Sequence, residues 1–264
     1  MNFVILRLII ILHLISYAIF GGITLAAKEK IVLAADYWCP YNCDPKDKNP
    51  GYLVELAQKA FEIYGIDVEY KLMSWSDALK AAVEGEINGV IGFGNENPEL
   101  LVPQIPQAYS IISTFASKDS NWVYDDIQSL NNHKITLIQD NYMGDLVLQY
   151  FTVNYPLRPE LFLVETGDYA VANSINHLLE GKAEIYIEDE KVANYYIINN
   201  NLSSYIKNSG RITEGASSPI FIAFSPKCKE SESYIKMLED ATQSLNDTGE
   251  LSHLQRKYDM ITGN

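Results

Sequence analysis

The stretch Ile31–Cys43, IVLAADYWCPYNC, constrains this chain more than any other. Ile31 to Ala35 form an unbroken run of β-branched and small apolar side chains, the pattern of a strand buried on both faces. The run ends in Asp36, Tyr37, Trp38 and Tyr41, broken by Pro40 and bracketed by Cys39 and Cys43. A buried strand that delivers polar and aromatic side chains at its carboxyl end is how an open α/β sheet presents a ligand crevice. A surface turn covering a sheet edge is the plainer alternative. One carboxylate and three large rings are poor choices for a simple cap.

The rest of the first third follows in α/β order. Asp44–Pro50 is polar and reads as loop, and Gly51-Tyr52 leads into Leu53–Tyr64, whose apolar residues recur at helical spacing until Gly65. Asp67–Met73 alternates as a strand. Ser74-Trp75-Ser76-Asp77 then opens a helix through Val83, with Ser74 or Ser76 as its cap and Gly85 as its stop. Ile87–Phe93 is a third buried strand. Ile31 to Gly94 therefore reads β-α-β-α-β, the unit that builds a parallel sheet with crossover helices.

Three prolines make Asn95–Pro106 irregular, and Ile111–Ala116 is the extended route out of the first half. A second α/β unit follows. Strands are expected at Lys134–Gln139, Leu161–Glu165 and Glu184–Ile187, with helices around Leu146–Phe151, Val171–Leu179 and Asp189–Ile198. Pro219–Phe224 is a further strand, and two helices, Glu230–Leu245 and Glu250–Asp259, close the chain. The halves repeat one architecture, which predicts two lobes facing each other across a cleft. Residues 28–113 with 219–264 form the expected first lobe, and 114–218 the second, inserted lobe.

The length, 264 residues, suffices for two such lobes. Met1–Phe20 is nearly all apolar, and Gly21, Gly22 and Thr24-Leu25-Ala26-Ala27 precede charged Lys28-Glu29-Lys30. Residues 1–27 read as an export signal cleaved after Ala26 or Ala27, with a retained single-span anchor as the alternative. The formal net charge is −14, a surface that repels nucleic acid. In an oxidising compartment Cys39 and Cys43 could close a short loop that holds the crevice turn, leaving Cys228 unpaired. Free thiols are the alternative. A metal site would need more ligands than one C-x-x-x-C pair with no nearby histidine, so neither a metal nor another cofactor is expected.

The residues now in place resemble the extracytoplasmic solute-binding proteins of family 3. The markers are Asp36 with its aromatic-Pro-Tyr turn, Gly51-Tyr52, Trp75, Gly85 and Gly181-Lys182-Ala183-Glu184 leading to Asp189. Ile222-Ala223-Phe224-Ser225-Pro226 and Gly249-Glu250-Leu251 with Tyr258 complete them. The resemblance covers nearly all of the chain after residue 27 and points to a less characterised branch. It implies an α/β, type 2 periplasmic-binding fold with the second lobe inserted in the first and the ligand in the cleft. It also implies a periplasmic monomer that hands a small polar solute, an amino acid or amine, to the permease of an ATP-binding cassette importer. A ligand sensor serving a membrane receptor is the alternative, and a dehydratase on the same fold is a more distant one.

Carried over position by position, the resemblance places Asp36, Trp38, Tyr41 and Trp75 in the cleft, with Glu96 and Glu99 after the third strand. The second lobe contributes Tyr142 and Asp189, and Asp189 is expected to receive a ligand's amino group. Amino-acid binders of the family carry an arginine after the third strand to fork onto the ligand carboxylate. Here that stretch is Asn95-Glu96-Asn97-Pro98-Glu99-Leu100. Beyond residue 27 the only arginines are Arg158, Arg211 and Arg256. Aromatic faces and carboxylates without a cation favour an amine or a neutral polyhydroxylated solute over an acidic one. Serine-hydrolase elbows, zincin helices and phosphate-cradling loops are absent from the sequence, and no catalytic residue is assigned.

Overall fold

The computed structural model describes residues 28–94, 97–139, 143–167, 169–213 and 218–259. The signal reading of residues 1–27 and the expected ligand residues Glu96 and Tyr142 lie outside them. Two five-stranded sheets organise the chain. In the first, β1 (Lys30–Ala35) lies between β2 (Asp67–Leu72) and β3 (Gly89–Phe93), and both pairings are parallel. The crossovers are α1 (Tyr52–Glu62) and α2 (Trp75–Glu84). Ser74 caps α2 through a bond from the Asp77 N–H, and Gly85 ends it in the left-handed region.

Two antiparallel strands complete this sheet. Beside β3 lies β10 (Ser218–Phe224), and the edge is the short β4 (Ala108–Ser110). The register shifts between Phe221 and Ile222. There the buried Gln107 side chain accepts the Ile222 N–H at 2.8 Å, so the irregular backbone keeps a partner.

The second sheet repeats the plan. Its parallel trio is β6 (Ile135–Ile138) between β7 (Phe162–Glu165) and β8 (Ile185–Asp189). On the far side of β8 runs antiparallel β5 (Ile112–Ser117), and β9 (Ile206–Arg211) forms the edge. The helices are α3 (Asp145–Asn154), α4 (Ala170–Leu179) and α5 (Glu190–Asn199). Only Ile111 separates β4 of one sheet from β5 of the other, and β9 and β10 make the return passage.

The final helices, α6 (Ser231–Asp247) and α7 (Glu250–Lys257), pack on α1 under the first sheet. Phe61, Phe224 and Tyr234 meet there with centroids 5.9–6.2 Å apart. Each such fully buried side chain contributes about 2–3 kcal/mol by transfer from water. Among the described residues, no helix is long and apolar enough to cross a membrane.

Two strands escape the sequence reading. β4 has three residues, too few for a period to show. β9, Ile-Lys-Asn-Ser-Gly-Arg, is polar because it is an edge strand that buries only Ile206 and Ser209.

Candidate functional site

In a sheet ordered β2-β1-β3, the connections leave the β1 and β3 ends in opposite directions and open a crevice at their carboxyl ends. Asp36 and Trp38 follow β1 there, and Gly92 and Gly94 mark the end of β3. The second sheet faces them with Leu137 and Gln139 at the end of β6 and with Met143, Leu148 and Phe151 at and along α3. Together with Trp75, Ser110, Ser218, Pro219 and Ile220 these residues line a cavity of about 370 Å³. A smaller hollow of about 140 Å³ also borders Asp36, Trp38, Trp75 and Gln139.

The turn after β1 is held on every side. Trp38 N–H donates to the Asn42 carbonyl at 2.8 Å, and Asn42 Nδ2 to the Asp36 carbonyl at 2.8 Å. A disulfide joins Cys39 to Cys43. The first turn of α1 lacks intrahelical acceptors. Tyr52 N–H and Leu53 N–H instead donate to the carbonyls of Pro40 and Tyr41, at 2.8 and 2.9 Å. Gly51 makes this approach possible, with φ of 117° and a position where a Cβ would lie 2.5 Å from the Tyr41 carbonyl oxygen. The turn thus presents Trp38, half-buried and stacked on Tyr41 at 4.4 Å, as a rigid ring at the cavity.

Alkylation without reductant is expected to label Cys228 alone of the three cysteines, read by mass spectrometry. Breaking the bridge with Cys39→Ser and Cys43→Ser is expected to cost about 2 kcal/mol, the loop-entropy value for so short a ring. Label on all three thiols would contradict the bridge.

Two expected ligand residues occupy different places. Tyr41 is wholly buried behind Trp38, and its hydroxyl donates to Asp189 Oδ2 at 3.1 Å. Burial, with the Asp189 charge added, pushes its phenol far above 10, so it stays a donor. Asp189 itself is wholly buried and does not reach the cavity. Oδ2 also accepts from Ser110 Oγ at 2.7 Å and Ile111 N–H at 3.2 Å. Oδ1 accepts from Lys191 and Val192 N–H at 2.9 and 3.1 Å.

Asp189, expected to receive a ligand's amino group, has protein partners in this structure. β8 runs straight into α5, so the carboxylate caps that helix and fastens Tyr41 and Ser110 of the other half. Five protein donors surround the carboxylate. Glu99 also differs: it is exposed, does not line the cavity, and its N–H bonds Asn97 Oδ1 at 2.9 Å. Asp36, Trp38 and Trp75 are the expected residues that the fold brings together at the cavity.

The sequence reading missed the α3 wall. Leu146, Val147, Leu148 and Phe151 make the helix apolar on more than one face, which was the available signal. Val147 enters the core, Leu148 turns to the cavity, and Phe151 borders the cavity while its ring packs on Tyr155 and Phe162.

The cations sit elsewhere. Arg211 forks onto Glu190 at 2.6 and 2.8 Å, and this bidentate partner holds the Glu190 carboxyl below its usual range. Arg158 Nη1 bonds Asn132 Oδ1 at 2.7 Å, and Arg256 is exposed on α7. His133 and His177 are paired with Glu184 and Glu165, at 2.8 and 2.7 Å. Among the described residues, no group of three or more His, Cys, Asp or Glu could hold a metal ion.

Comparison with known proteins places this geometry. A search of curated proteins finds no match to the sequence. Among solved structures, a histidine kinase sensor domain with similarity to periplasmic binding proteins is similar at 19% identity and TM-score 0.69, covering 88% of this chain and 96% of that one. A structure from work on glutathione import via GshT and the cystine ABC importer TcyBC of Streptococcus mutans is similar at 18% identity and TM-score 0.71, covering 88% and 95%. An ancestral arginine-binding protein bound to arginine gives 16% identity and TM-score 0.68, covering 87% and 97%. At these identities the likeness shows the fold, the two-lobed α/β fold of type 2 periplasmic binding proteins. The model of the bacterial extracellular solute-binding proteins, family 3, matches residues 31–260. With two repeated sheets, a cavity at their strand ends and a family match over most of its length, the chain belongs to the family 3 bacterial extracellular solute-binding proteins.

Proposed function

We propose that this protein binds a small amine-bearing solute outside the cytoplasm and delivers it to the permease of an ATP-binding cassette importer. The observation that carries this reading is the cavity between the two sheets, with Asp36 beside Trp38 and Trp75. A carboxylate attracts an ammonium group, and each aromatic face adds about 0.5–2 kcal/mol when the cation is desolvated. Tyr41 and Asp189 act behind this surface, through Trp38 and Ser110. In the same reading residues 28–113 and 219–264 make one lobe and 114–218 the other, residues 1–27 are the export signal, and the protein works as a periplasmic monomer.

A sensing role is favoured by one specific observation, the likeness to a histidine kinase sensor domain. A thermal-shift screen of metabolites tests the shared part of both readings. An amine at 100 times its Kd is expected to stabilise the folded state by about 2.7 kcal/mol and raise the melting midpoint. No shift with any amine, together with a clear shift from acidic solutes, would overturn the amine reading. Stimulation of a reconstituted permease and ATPase by the loaded protein would support delivery, and its absence alongside activation of a kinase would favour sensing.

A further inference from the structure

The cavity has two unlike sides. Of the described second-sheet residues that line it, Leu137, Met143, Leu148 and Phe151 are apolar and Gln139 is polar. Asp36 is the one ionisable carboxylate or base among the described lining residues, and it stands on the first-sheet side. Leu148 and Phe151 are three residues apart and share a face of α3. Leu148 keeps 49% of its surface exposed, although Val147 beside it is buried to 1%. A lone exposed leucine is ordinary. This one belongs to a concave apolar wall that looks across at two tryptophans.

We infer that the α3 wall is a subsite for an apolar group, and that the solute is a monocation whose ammonium lies toward Asp36 and whose aryl or branched-alkyl body lies against Met143, Leu148 and Phe151. The inference deepens the reading above and rests on it. The volume, about 370 Å³, lies in the range of ordinary small-molecule sites and holds such a body. A hydrophilic amine would use Asp36 but leave the wall wet, forgoing about fourfold in affinity for each methylene left unburied. A solute with a free carboxylate would bring like charge to Asp36, while Arg158 and Arg211 are engaged by Asn132 and Glu190.

Titration calorimetry of the purified protein tests this with 2-phenylethylamine, ethanolamine, 2-phenylethanol and phenylalanine. The aryl amine is expected to bind at least about tenfold more tightly than each of the others, since only it uses both sides. Asp36→Asn should weaken it by about tenfold or more through the lost charge pair. Leu148→Asn should weaken it by about fivefold through the lost apolar contact. Leu157→Asn, at an exposed leucine outside the lining, is the control and leaves affinity unchanged. Melting curves of each variant separate lost binding from lost folding.

Ethanolamine or phenylalanine binding as tightly as the aryl amine would overturn the apolar subsite, while the solute-binding reading would stand. A folded Leu148→Asn variant with parental affinity would do the same. Binding of none of the four also overturns it, and the metabolite screen then decides the solute-binding reading separately.

Discussion

Asp189→Ala is expected to destabilise the free protein by about 4 kcal/mol, with no solute present. The α5 cap alone is worth about 1 kcal/mol, and the Ser110 hydroxyl and Ile111 N–H, which lose this acceptor, add about 1–3 kcal/mol each, while the Tyr41 hydroxyl falls back on its 3.3 Å bond to the Tyr109 carbonyl. The Tyr41 and Ser110 bonds join residues 148 and 79 positions away in sequence, so the loss falls on the junction between the halves as well as on one helix. Asp189→Asn should cost less, because its carbonyl can still cap α5 while hydroxyl hydrogens reorient. Urea unfolding followed by tryptophan fluorescence and circular dichroism measures both variants. A residue kept only to receive a ligand's amine would leave the free protein unchanged. A loss of less than about 1 kcal/mol for alanine would therefore sink the assignment of Asp189 as a structural pin.

That assignment marks the limit of what the sequence could reveal. β1 and β3 were legible because strands buried on both faces must be apolar throughout, and Asp36 and Trp38 were legible because they interrupt such a run. The position of Asp189 after β8 was equally clear. Its partners were not, since Tyr41 and Ser110 arrive from the other half to bond its oxygens. Tyr41 could not be told from a cleft residue for the same reason. Leu148 and Phe151 were not legible as cavity residues, because apolar periodicity records which face of a helix is apolar, and not whether protein or an open cavity lies against it. Glu99 followed the right strand, yet its exposure depends on the path of a Pro-rich segment, which has no period to read.

Between pH 4.5 and about 7 the stability of this protein is expected to fall as pH rises, by about 3 kcal/mol from Glu188, and Glu188→Gln should remove that part of the slope. Glu188 sits in the centre of the second sheet, on β8 opposite Ser113 of β5, with 3% of its surface exposed. Burial pushes its carboxyl up to about 7. The Asp189 N–H at 2.8 Å and the Tyr186 hydroxyl at 3.0 Å pull the other way, and the Asp189 carboxylate adds to the rise. The Trp38 indole N–H is within electrostatic reach of the carboxylate without a hydrogen bond of ordinary geometry. Because the folded value lies above the unfolded one, the folded chain holds the extra proton in this window and loses that advantage as pH rises through 7. Asp189 is raised by burial too and gives the same sign from a lower starting point. Glu165 and Glu190, lowered by His177 and Arg211, have the opposite sign, and their contribution is lost below 4.5. The two sets therefore act in separate windows and leave maximal stability near the lower edge of the first. Denaturant unfolding at intervals from pH 4 to 8 decides the matter, with Glu188→Gln losing most of the fall above 4.5 and more stable than the parent at pH 8. A parent curve flat across this range, or a variant with the parental slope, would place the titrating group elsewhere.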